Sequence, residues 1–270
     1  MSDRTASPPA HGIGSRPMNT ALLEKLRPIL IFVAFFLIWE ILCVALNVAP
    51  YILPRPSAVV ADLWRQAPNL FVHTLVTGQE VIVGFILAIV VGVPLAVLIS
   101  FSKIARETIY PILIVSQVIP KVVLAPLFII WFGIGLMPKL VLVFLLCFFP
   151  VVLSAIAGFR AIDDETVEFV RSTGASPWRQ FSLVRFPHAL PSIFVGVKLA
   201  STMAVIGAIV AEFVSSDKGL GYVLMLISGD LNTTRAFAII VILSLMGLLL
   251  YWLTALAERL IIPWHASQKH

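Results

Sequence analysis

The chain is poor in charge. Of its 270 residues, 12% are Asp, Glu, Lys or Arg, about half the share of roughly 25% found in soluble domains. With 60% hydrophobic residues and a mean hydropathy of +1.02, too little polar surface remains to coat a water-soluble fold. Cysteine is scarce too: Cys43 and Cys147 both lie in apolar runs, where a thiol acts as a small apolar group. Two such residues imply no disulfide framework and no thiolate metal site. The phosphate cradle G-x-x-x-x-G-K-[ST] is missing, as are H-E-x-x-H, C-x-x-C and G-x-S-x-G. The chain is therefore expected to hold no catalytic set, no metal and no cofactor of its own, and to rely on energy made elsewhere.

What is present is long apolar stretches. A hydrocarbon layer about 30 Å thick needs roughly 20 apolar residues per helix. Six stretches qualify: residues 29–46, 81–102, 108–132, 140–159, 191–211 and 236–257. They are continuously apolar rather than alternating, which favours helices over a transmembrane barrel. The sequence thus predicts an all-α integral membrane protein with about six spans. Residues 1–27 read as a largely disordered tail and residues 28–265 as one transmembrane domain. The first apolar run follows a long polar lead and no small-residue cleavage site follows it, so it reads as a retained helix.

Basic residues set the orientation. With the N-terminus inside, thirteen Lys and Arg face the cytoplasm and five face out, with Lys121 inside a span. Both termini are then cytoplasmic. The pI of about 9.5 follows from this bias and gives no reason to expect nucleic acid. Beyond the first span, Pro54 and Pro56 break structure. Ser57 is placed to cap a helix through Val59, Val60, Leu63 and Trp64, expected to lie along the outer interface. Residues 133–139 read as a tight outer turn. Gly219 and Gly221 mark another turn, before a short helix at 222–227.

The most informative segment is a polar island, residues 161–190, between two apolar spans. Asp163, Asp164 and Glu165 suit the positive end of a helix dipole, with Asp163 as N-cap. The helix runs through Glu168 and Arg171 and ends at Gly174, where glycine accepts a positive φ. After Ala175, Ser176 and Pro177 restart a short helix over 177–183 as N-cap and first residue. Pro187 and Pro191 fix the approach to the next span. The result is a helix–turn–helix plate on the inner surface. An amphipathic loop resting on lipid headgroups is the alternative, opposed by the segment's four acids. His188, beside Pro187, reads as an interfacial contact.

Glu168, Gly174 six residues later, and then Val184-Arg185-Phe186-Pro187 resemble the signature loop of permease subunits of bacterial ABC importers. That pattern is E-A-A, three residues, G, nine residues, I-x-L-P. Here Phe169 and Val170 replace the alanines, and Val184 and Phe186 replace I and L. Residues 120–135 (PKVVLAPLFIIWFGIG) and 211–225 (AEFVSSDKGLGYVLM) are similar to segments of the nitrate/sulfonate/taurine/bicarbonate branch. Some members of that branch are thought to carry thiamine precursors or riboflavin.

The resemblance implies a type I importer (MetI-like) permease fold in the bacterial inner membrane. It implies a coupling loop formed by Asp163, Asp164, Glu168, Arg171, Gly174, Ala175, Pro177 and Pro187, in which Glu168 is expected to pair with a nearby base. It implies separate ABC ATPase subunits carrying ATP and Mg, a second permease copy as a homodimer, and a periplasmic or lipid-anchored solute-binding protein.

A charge at the membrane centre costs at least about 2.5–3.5 kcal/mol, so it faces protein or water. Lys121, with Pro120 beside it and Pro126 one turn on, is expected either to line the translocation path or to pair with Glu40, Glu80 or Glu212. Gln117, Ser116, Ser201 and Thr202 could add polar groups to the path, although Ser and Thr in membrane helices often bond their own backbone. A self-powered, ion-coupled secondary transporter is the rival reading, using those three acids as an ion site; it has no use for the island. Lys121 favours an anionic or electron-rich solute.

Overall fold

The computed structural model describes residues 18–264, with side chains from position 26 onward. The expected tail lies outside the described residues up to position 17. Helix α1, Met18–Ala45, reaches back past the tail boundary expected at residue 27. Its apolar flanks are exposed over most of their length, as suits a helix bathed in lipid. Contacts towards its C-terminal end tie it down. Trp39 packs on Phe237 with ring centroids 5.7 Å apart. Glu40 accepts hydrogen bonds from the Ser57 amide at 3.0 Å and the Ser57 hydroxyl at 2.7 Å.

Ser57 is the second residue of α2, Pro56–Phe101. The residue at the N-cap position is Arg55, not Ser57; Ser57 sits in the first turn and gives both donors to a carboxylate from α1. That arrangement satisfies an orphan amide of the helix end. The expected interfacial helix and second span are in fact one 46-residue helix, roughly 69 Å long at 1.5 Å per residue. Pro68 does not break it, because Pro68 and Trp64, whose carbonyl loses its partner, are both exposed.

The third expected span, 108–132, is broken rather than continuous. Helix α3 (Lys103–Ser116) gives way to a 3-10 turn, Lys121–Leu124, and then to α4, Ala125–Phe132. The two halves are bent by 89°. Pro120 has no amide to continue α3, and Pro126 sits in the first turn of α4, where proline is favoured.

Helix α5, Leu136–Arg160, is the central element and packs most extensively on α8 (Phe186–Ser215) and then on α2. Small residues allow this closeness. A Cβ at Gly196 would lie 2.6 Å from the Pro150 carbonyl oxygen, so the two backbones nearly touch there. Helices α9 (Leu220–Gly229) and α10 (Thr233–Ile261) complete the bundle. Among the described residues there is no strand.

A buried polar network closes one end of the bundle. Lys139, expected in an outer loop, lies in the first turn of α5 and is 7% exposed. It donates to Glu80 Oε1 at 2.5 Å and to Ser216 Oγ at 2.9 Å. Glu212 accepts from Thr77 Oγ1 at 2.7 Å and from the Gly221 amide at 2.6 Å. The Leu220 amide donates to Thr77 Oγ1 at 2.8 Å, and the Gly219 amide to His73 Nδ1 at 3.0 Å. Side chains of α2 and α8 thus capture three successive amides at the start of α9, which would otherwise be orphan donors in a dry place. Elsewhere in the bundle, Lys198 of α8 forms an ion pair with Glu258 of α10.

Candidate functional site

The plate stands at the opposite end, where α5 stops. Helix α6, Asp164–Ser172, starts after Asp163, which takes the extended N-cap conformation without a side-chain bond. Asp164 and Glu165 occupy its first turn and Arg171 its last, so the charges match the dipole at both ends. Ser172 and Thr173 hydroxyls donate to the Phe169 and Val170 carbonyls at 2.7 Å each, using up acceptors of the final turn. Gly174 then adopts φ +77 and reverses the chain. Gln180 Nε2 donates to the Ala175 carbonyl at 2.8 Å, bracing the turn. Ser176 Oγ accepts from the Arg179 amide, and Pro177 opens α7, Pro177–Gln180.

The second limb does not stop at residue 183. It widens into a π-turn, Phe181–Arg185, and runs directly into α8. Pro187 has no amide for the Leu183 carbonyl and its ring crowds that oxygen; the wider turn accommodates both. The second limb of the plate and the fifth span are therefore one continuous rod of 39 residues, Pro177–Ser215.

Aromatic rings fix the base of this rod to its neighbours. Phe181 meets Phe101 of α2 at 5.5 Å and Phe159 of α5 at 6.2 Å, while Phe101 and Phe159 meet at 5.8 Å. Phe186 and Trp178 complete the cluster, each 5.7 Å from Phe181. Edge-on and offset pairs of this kind add about 0.5–1.5 kcal/mol each beyond their buried area. Sequence reading singled out Phe186 alone of these residues, and only as part of the Val184–Pro187 pattern. The available signal was a phenylalanine at or near the end of α2 (Phe101) and of α5 (Phe159) and at the start of α8 (Phe186).

The outer face of the plate is open. Glu168 is exposed and forms no salt bridge among the described residues. Phe169 and Trp178 are 70% and 72% exposed. Asp163, Asp164, Arg171 and Pro177 are exposed as well, whereas Ala175 and Pro187 are half-buried on the side towards the bundle.

The path residues divide into two groups. Gln117 and Lys121 meet at the break, where Lys121 Nζ donates to the Gln117 carbonyl at 3.3 Å and lies 4.4 Å from the Phe149 ring centroid. Lys121 pairs with none of the expected acids: Glu40 is engaged by Ser57, Glu80 by Lys139 and Glu212 by Thr77 and Gly221. Ser116 donates to the Leu113 carbonyl. Ser201 is buried and donates to Lys198 O, and Thr202 donates to Leu199 O, so both bond their own helix. Thr202 lines a groove against α10 near Tyr251 and Ser244. Among the described residues no three His, Cys, Asp or Glu side chains group as metal ligands.

Comparisons with known proteins agree with this architecture. The family profile of the binding-protein-dependent transport system inner membrane component matches residues 84–263. A probable ABC transporter permease of Haemophilus influenzae is 35% identical over 85% of this chain and 94% of that protein. The formylaminopyrimidine transport permease ThiX of Halalkalibacterium halodurans is 32% identical over 91% and 98%. The putative aliphatic sulfonates transport permease SsuC of Bacillus subtilis is 29% identical over 96% and 98%. Among solved structures, the MetNI methionine ABC transporter in inward-facing conformations superposes with a TM-score of 0.60 at 20% identity. That match covers 71% of this chain and 95% of that one, and shows the fold.

Proposed function

The chain belongs to the family of binding-protein-dependent transport system inner membrane components and is the transmembrane subunit of an ABC importer; from that premise we propose how it works. The plate carried by α6 and α7 docks into a partner ATPase subunit, where ATP and Mg are held and hydrolysed. Glu168 finds its base on that partner. Phe169 and Trp178 insert as apolar anchors, since exposed aromatics of this size suit the buried centre of an interface. The observation that carries this reading is the rod Pro177–Ser215, locked at its base by Phe101, Phe159 and Phe181. A push on the plate turns α8, and α5 moves with it because their backbones touch at Gly196.

Two copies of the chain form the path between their broken spans, with Gln117 and Lys121 facing it. The plate and both termini lie on the cytoplasmic side. A binding protein delivers a small solute, and the lysine favours an anion or electron-rich heterocycle. Sulfonate and formylaminopyrimidine, named for two relatives, are both of that kind.

Reconstitution of the complex in vesicles tests the proposal. Uptake is expected to require the ATPase subunits, ATP and binding protein together. Uptake by this chain alone under a proton or sodium gradient would instead establish ion-coupled transport.

A further inference from the structure

Behind the plate lies a crevice of about 430 Å³ between the ends of α2 and α5 and the start of α3 and α6. Three guanidinium groups line it: Arg106, Arg160 and Arg185, with Asp164 the one carboxylate. None of the three arginines forms a salt bridge among the described residues. Each is nevertheless held in place. Arg106 Nη2 donates to the Ser100 carbonyl at 2.7 Å, Arg160 lies over the Tyr110 ring at 4.5 Å, and Arg185 lies over the Phe101 ring at 5.0 Å. These contacts orient the groups without neutralising them.

Three fixed cations around one polar space repel each other unless an anion joins them. Guanidinium forks match phosphate oxygens in shape and charge. The crevice sits level with the ends of two membrane helices, beside Tyr110, a residue type enriched at the headgroup layer. Basic pockets between helices at that level suit anionic headgroups.

We propose that this crevice binds a phosphate group, carried by an anionic phospholipid headgroup or by a free phosphate anion. Bound there, it bridges Arg106 and Arg160 of the membrane helices to Arg185 at the root of the plate, and stiffens the joint through which the plate acts. The site depends on neither the docking of the plate nor the identity of the solute.

The test uses the purified permease–ATPase complex, stripped of native lipid and placed in phosphatidylcholine nanodiscs. Phosphatidylglycerol or, separately, inorganic phosphate is titrated while the melting midpoint and retained lipid are measured. Phosphatidylglycerol is expected to raise the midpoint and to be retained by the wild type. In R160Q/R185Q its apparent affinity should fall at least about tenfold, because charge-assisted hydrogen bonds are lost. Asp164→Asn removes the opposing carboxylate and should tighten binding about threefold, as lifting one nearby like charge in a wet site predicts. That gain cannot come from misfolding. A matching, arginine-dependent response to inorganic phosphate alone identifies the free anion as the source. Equal phosphatidylglycerol affinity in all three proteins overturns the proposal. So does a double variant that loses its ATPase subunits while retaining lipid, since the arginines would then be partner contacts.

Discussion

Gly174 is the position where a single substitution separates coupling from folding. Its φ of +77 lies in the left-handed region, and a Cβ built there meets nothing within 4 Å. Substitution therefore costs conformational strain and no clash. An L-residue forced into that region costs about 1–2 kcal/mol. Asn tolerates it best and a β-branched residue worst. Because the turn is exposed and remote from the bundle core, the strain is relieved by giving up the turn while the bundle stays folded. Each 1.4 kcal/mol lowers the population of the native turn about tenfold. Gly174→Asn should lose little, Gly174→Ala several-fold, and Gly174→Val at least about tenfold in solute taken up per ATP hydrolysed. The melting midpoint of the complex should not move across the series. The assay is paired uptake and phosphate release in proteoliposomes. Wild-type coupling in Gly174→Val would refute the turn argument; a worse result for Asn than for Val would show that crowding rather than φ sets the cost.

Lys139→Met strips the cation from Glu80, leaving two buried carboxylates, 1% and 0% exposed, in one network. Breaking a buried pair in this way costs about 3–5 kcal/mol, visible as a lower melting midpoint, and adding Glu80→Gln should restore most of it. Gly196→Leu drives a side chain into the Pro150 carbonyl, the α5–α8 contact, and should abolish assembly as judged by gel filtration of the complex. Lys121→Met should leave assembly intact and depress uptake of an anionic solute at least about tenfold, the scale of one lost charge-assisted hydrogen bond; normal uptake by the assembled variant would remove Lys121 from the path.

What could be read from the sequence is what local chemistry determines. The plate's Asp163 cap position, Gly174 turn and Ser176-Pro177 restart are set by residues within a few positions of one another, and all three stand where expected. Apolar length located the spans for the same reason. Three features were hidden because distance in sequence conceals them. The interfacial helix and the second span looked like separate elements, yet one helix runs through both, with Pro68 on an exposed face. Lys139 looked like a loop charge, and its partner Glu80 lies 59 positions earlier. Phe101, Phe159 and Phe181 look like ordinary span residues until three helix ends bring them together. Pro120 and Pro126 beside Lys121 stood at the site of the break, but the 89° bend there depends on packing that no local pattern encodes.

The most direct measurement of the account is a cross-link from the plate to the ATPase. Cys43 and Cys147 are both buried, so Phe169→Cys supplies a single accessible thiol. In the assembled complex it should cross-link to the ATPase subunit in high yield, and the linked complex should lose uptake when the tether blocks movement of the plate. An absence of cross-linking at residues 168, 169 and 178 in a complex that still transports would contradict the claim that force enters through this surface.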